Sequence, residues 1–262
     1  MFKTRIIFLF LLSVIISSSS CRKNQDDPII ILSVDREFSL SLWENLEPSA
    51  APLEIQLKSI EEQDCLNKTI HTSYDKTGND LTLTIFEIVA PETCDPGNAP
   101  ATGLEPIYDI EEGSYGLIID LQEVVSNVGK LIVSEDDFRV EMNNEVGIKW
   151  QQKELSKVPE TALWGYLVYD GEAQSAIAVD FINSLQEKGT AFDRADGYFG
   201  HFTIENTEIT AVHKAPTDVN TQLFIQYYDG TLETLNIIVN DFRATAPNGM
   251  ELHLFDGKGK EW

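Results

Sequence analysis

Apolar and polar side chains alternate with a period of two over much of the chain. Phe38, Leu40 and Leu42 alternate with Glu37, Ser39 and Ser41, and Leu53, Ile55 and Leu57 with Glu54, Gln56 and Lys58. That period is the mark of half-buried strands. Ile29 to Val34 is a continuous apolar run of buried-strand length, and Ile70 to Tyr74 and Leu81 to Val89 flank a turn at Lys76-Thr77-Gly78-Asn79-Asp80. Glycine and asparagine there supply the positive φ that a hairpin needs. Pro91 to Pro106 is rich in Pro, Gly and Ala and reads as a surface loop. Leu117 to Leu121, Leu131 to Val133 and Phe138 to Met142 complete seven or eight short strands without a convincing helix. This spacing predicts an antiparallel β-sandwich of the immunoglobulin-like kind over residues 29–148.

Lys149, Lys153 and Lys157 make 149–159 the one locally basic stretch, ended by Pro159, and it reads as a linker or a short connecting helix. Residues 160–262 follow a different pattern. Thr161 to Tyr169 is a strand apolar on both faces. Ile177, Ala178, Phe181, Ile182 and Leu185 then recur at helical spacing between Ala173 and Lys188, before Gly189. Leu223 to Tyr228 and Thr231 to Val239 flank Asp229-Gly230, a strong hairpin signal, and Pro247-Asn248-Gly249 turns into Met250 to Phe255. The predicted order is one helix on a curled antiparallel sheet, an α+β domain that resembles cystatin-like folds in element order alone.

The N-terminus sets the address. Lys3 and Arg5 precede the apolar run Ile6 to Ile16, and Ser17 to Ser20 lead to Cys21. The run is about 11 residues where a membrane-spanning helix needs about 20, so residues 1–20 read as a signal peptide. A cysteine straight after small residues resembles the lipobox of bacterial envelope lipoproteins, although Ser18 stands where that family usually has an aliphatic residue. The resemblance implies acylation at Cys21, an outer-membrane location, and residues 21–28 as a tether. Acyl chains on Cys21 would be the contact with the membrane, each buried methylene contributing about 0.8 kcal/mol. Gln25, Asp26 and Asp27 resemble the short acidic tag that directs Bacteroidota lipoproteins to the cell surface; a plain polar tether is the other reading.

Charge then narrows the partners. With 43 acidic and 19 basic residues the net charge is -24, and removing residues 1–20 takes away two basic side chains and no acidic one. Phosphate binding needs a basic patch, so nucleic acid is excluded. Cys65 and Cys94 remain as an even pair in an oxidising compartment, and a disulfide is expected.

Candidate chemistry is thin. The four histidines, His71, His201, His213 and His253, show no helical zinc spacing, and strand parity places His201 and His253 on polar sheet faces. No nucleophile elbow or phosphate loop occurs, and no cofactor is implied. Asp109 to Glu112, Glu135 to Asp137 and Asp193 to Gly197 are acidic enough to suggest calcium, but none has the regular calcium-loop spacing. Solvated turns explain them. Trp164 and Tyr166 share a strand face, with Tyr198 and Tyr228 on strands that could neighbour it, and such a row could stack on sugar rings or a protein partner. The expected function is surface binding of a glycan or protein by a lipid-anchored, non-enzymatic module, similar in layout to accessory lipoproteins of nutrient-uptake systems. A periplasm-facing assembly factor and a carboxylate-dependent hydrolase are the alternatives.

Overall fold

The computed structural model describes residues 37–49, 51–122 and 124–262. Cys21, Gln25, Asp26, Asp27 and the apolar run 29–34 therefore lie outside the described residues. The described residues all fall within one compact unit.

Ten strands make one mixed sheet: β1 (Phe38–Glu44), β2 (Leu53–Cys65), β3 (Thr69–Thr77), β4 (Asp80–Val89), β5 (Pro96–Ile107), β6 (Gly113–Leu121), β7 (Val125–Val133), β8 (Asp137–Met142), β9 (Ile148–Gln152) and β10 (Glu154–Ser156). Their spatial order is β10-β8-β7-β6-β4-β3-β5-β2-β1-β9. The two strands at the ends of this order are consecutive in sequence with Lys153 alone between them, so the chain itself crosses the remaining seam. The sheet is a nearly closed barrel. Three pairings that join distant segments, β1 with β9, β3 with β5 and β4 with β6, are parallel.

This overturns the expected immunoglobulin-like sandwich. Alternation does place Phe38, Leu40, Leu42, Leu53, Ile55 and Leu57 in the core, as the pattern predicts. One curled sheet, however, buries all these inward positions against each other with no second sheet. The stretch 149–159, read as a linker, carries β9 and β10; Ile148 and Trp150 point into the barrel while Lys149 is exposed. Pro91 to Pro106, read as a loop, contains most of β5. Cys65 and Cys94 form the expected disulfide, with Cα atoms 5.4 Å apart, and tie the end of β2 to the start of β5. The interior is filled. A residual void of about 10 Å³ beside Leu42, Tyr74 and Leu131 is far smaller than a ligand site of about 300 Å³ or more. At one interior position the polar Asn127 is fully buried, and its amide is matched by Val146 N–H at 2.6 Å and Val146 C=O at 2.9 Å.

The second region packs in three layers. A four-stranded antiparallel sheet has the order β12 (Gly189–Ala191), β16 (Asn220–Tyr228), β11 (Ala162–Tyr169), β17 (Glu251–Asp256). Leu163, Leu167, Phe224 and Leu254 on one face meet α1 (Glu172–Gln186) and α2 (Leu232–Thr245) through Phe181, Leu185, Leu235 and Val239. On the other face Trp164 and Tyr166 meet a three-stranded sheet of β13 (Gly197–Tyr198), β14 (Phe202–Glu205) and β15 (Glu208–Val212), whose Phe199, Phe202 and Val212 fill the space between. There are two helices where one was expected. Asp229-Gly230 does not turn a hairpin: Thr231 is the N-cap of α2, its hydroxyl accepting the Thr234 N–H at 3.2 Å. Leu235, Val239 and Phe242 are the buried stripe of that helix.

Candidate functional site

A recess of about 310 Å³ lies where the outer wall of the barrel meets the second region. Strand β1 supplies its barrel side. Because Leu40 and Leu42 point inward, Trp43 points outward, opposite Glu54 across the β1–β2 ladder. The β1–β2 turn follows. Asn45 is held at both ends, its Nδ2 donating to Glu54 Oε1 at 2.8 Å and its Oδ1 accepting Glu47 N–H at 3.0 Å, so this wall is fixed. The opposite wall is Trp164 from β11, His201 from the turn into β14, His213 and Lys214 from the end of β15, and Phe255 and Glu261 from the C-terminal segment.

Trp43 is the hub. Its ring lies 4.3 Å from the His201 ring and 4.9 Å from the His213 ring, and Trp164 is 5.8 Å from His201 and 6.0 Å from Phe255, stacked on the latter. Gly200, at φ 76°, lets the backbone pass against this indole: an added Cβ would sit 3.3 Å from Trp43 Cε3. Trp43 keeps part of its surface exposed, whereas Trp164 is 2% exposed. Trp43 is thus the indole open to the recess, with the ring of Phe255 also partly exposed there.

Two half-buried titratable groups stand behind it. His201 donates from Nε2 to the backbone carbonyl of Glu44 at 2.9 Å, and desolvation by burial pushes its pKa down to about 4. The ring is therefore neutral, with its proton on Nε2. Glu44, the next residue after Trp43, points toward the mouth of the barrel. Burial pushes its pKa up to about 7, against the opposing pull of the Val158 N–H it accepts at 2.7 Å and of Lys157. Burial, with Lys214 and Lys58 nearby, also holds His213 below the usual imidazole value. Around neutral pH the recess thus has the neutral His201 imidazole on its floor, and His213, the cation Lys214, Glu47, Asp256 and Glu261 on its rim.

The four aromatic residues proposed from sequence are not one row. Trp164 and Tyr166 do share a face, but they are 2% and 5% exposed and covered by the three-stranded sheet. Tyr228 packs on the helix side, and Tyr198 against the barrel core. Of the four, Trp164 reaches the recess. His201, assigned by parity to a polar face, instead lies half-buried in the recess, because the turn at Gly200 breaks the β14 alternation before it. Trp43 is not among the residues that the sequence pattern singles out. Its signal was an indole at the outward parity of Ser39 and Ser41.

Two of the three acidic clusters have structural partners. Asp196 accepts Asn206 and Thr207 N–H at 2.8 and 3.0 Å in the β14–β15 turn, and Asp136 pairs with Arg194. Among the described residues no group of three His, Cys, Asp or Glu side chains is placed to hold a metal ion. No family model, curated protein or solved structure matches this chain.

Proposed function

We propose that this protein is a non-enzymatic binding module of the bacterial cell envelope, lipid-anchored through Cys21, and that it holds a sugar ring of a glycan on Trp43. The carrying observation is the composition of the recess: a partly open indole at the floor, ringed by Asn45, Glu47, His213, Lys214, Asp256 and Glu261. A sugar offers both an apolar C–H face for an indole and a circle of hydroxyls for such a rim. The volume of about 310 Å³ lies at the small end of ligand sites, which suits one or two rings rather than a folded protein surface.

The recess also explains why the second region is needed, since its two walls come from different parts of the chain. Acyl anchoring and the acidic segment Gln25-Asp26-Asp27 support an outward-facing placement, where glycans are available. A glycan array probed with the chain lacking residues 1–20, beside its Trp43→Ala variant, tests the reading. Binding of a saccharide class by the unmodified protein, weakened at least tenfold in the variant, is expected; equal binding by both would remove Trp43 from the site.

A further inference from the structure

The charges around the recess narrow the saccharide, on the reading that Trp43 holds one. Glu47, Asp256 and Glu261 line it against a single lysine, Lys214. These carboxylates differ in what already engages them. Asp256 closes a turn, its Oδ1 accepting the Lys258 N–H at 3.0 Å and the Lys260 N–H at 2.9 Å. Glu47 is exposed on the barrel wall, its main chain held by the N–H bond to Asn45. Glu261 is exposed on the opposite wall, its main chain held by the bridge to Phe255. Neighbouring lysines are turned to other partners: Lys258 pairs with Glu160 at 3.3 Å, and Lys260 lies over the Trp262 ring at 4.0 Å. Among the described residues no lysine or arginine forms an ion pair with Glu47 or Glu261, and Lys214 forms none with any acid. Each wall of the recess therefore presents a carboxylate without a cation, on a fixed backbone, beside the open face of Trp43.

We propose that the saccharide held on Trp43 is an amino sugar with its nitrogen unacetylated, whose ammonium group is taken by Glu47 and Glu261. An indole face attracts a cation as well as a C–H face, so the ring and its ammonium can use the same platform. An ammonium offers three N–H donors, enough for a carboxylate on each wall. No existing ion pair has to be given up to receive it. Acetylation removes the charge and two of the donors, and leaves both carboxylates facing a neutral amide. An anionic sugar fares worse, since it meets the same two carboxylates within a chain of net charge -24. That field raises the local concentration of cations and lowers that of anions.

Calorimetric titration at pH 6 with a trisaccharide of glucosamine, and with its fully N-acetylated counterpart, tests the assignment on the chain lacking residues 1–20. The amine form is expected to bind about tenfold more tightly. That preference should shrink to about twofold or less in the double variant Glu47→Gln/Glu261→Gln. It should persist in Glu61→Gln/Glu62→Gln, which removes the same charge from exposed positions of β2 outside the recess. N-acetylated binding that is as tight or tighter overturns the proposal, as does a preference kept in the recess variant or lost equally in the β2 variant. The two readings fail separately. If both trisaccharides bind alike and both are lost in Trp43→Ala, the ammonium assignment falls while sugar binding at Trp43 stands. If neither binds the unmodified chain, the ammonium assignment falls and the glycan array decides the wider reading.

Discussion

Glu44 and His201 are joined by one hydrogen bond and titrate with opposite effects on folding, so replacing either should expose the other. Glu44 has its pKa raised from 4.5 to about 7 on burial. The folded state thus binds this proton more tightly than the unfolded chain does. Stability from this source is present at low pH and is lost as pH rises through 7. His201 has its pKa lowered from 6.5 to about 4. Its folded form resists protonation, and stability is lost as pH falls from 6.5 toward 4. At about 1.36 kcal/mol per pKa unit, passing from pH 5 to pH 8 costs about 2 to 3 kcal/mol through Glu44 and restores about 2 kcal/mol through His201. The two nearly cancel in the unmodified protein.

Urea denaturation of the unmodified chain, Glu44→Gln and His201→Gln at pH 5 and pH 8 separates them, since the difference from the unmodified chain removes the contribution of the many surface carboxylates. Relative to it, Glu44→Gln should gain about 2 to 3 kcal/mol on going from pH 5 to pH 8, and His201→Gln should lose about 2 kcal/mol. Differences that do not change with pH, or that change with the same sign in both variants, would refute the reasoning.

The disulfide and the second helix offer simpler tests. Replacing Cys65 and Cys94 together by Ser reopens a loop with a sequence separation of 29 and should lower stability by about 3.5 kcal/mol on the chain-entropy account, measured by denaturation under non-reducing conditions. Thr231→Ala removes the cap of α2 and should cost about 1 kcal/mol, with amide exchange faster in Leu232 to Leu235. No change there would mean that the segment after Asp229-Gly230 is not held as a helix by its cap.

Strand alternation was legible because burial inside a barrel and burial inside a sandwich impose the same period of two. Which strand neighbours which was not legible. The parallel pairs β1 with β9 and β4 with β6 unite segments that no turn connects, and turn signals report on sequential neighbours alone. Lysines hid β9 in a similar way: Lys149 is exposed between the buried Ile148 and Trp150, so the basic character belonged to one face of a strand. The α2 segment was misread because the run Leu232 to Val239 contains Ile237 and Val239 at strand-like parity, whereas its buried positions are Leu235, Val239 and Phe242 at helical spacing. The recess depends on residues as far apart as Trp43 and Glu261, and their meeting is a product of the fold. What the sequence did carry was the isolated indole on a serine-lined strand face.

The central claim is that Trp43 is the surface on which a saccharide sits. With the indoles ¹⁵N-labelled, a titration with the saccharides selected on the array should shift the Trp43 Nε1–H resonance, assigned by its absence in Trp43→Phe, while that of Trp150, buried in the barrel, stays in place. Saturable binding that leaves the Trp43 signal unmoved, or no binding of any saccharide, would contradict the account.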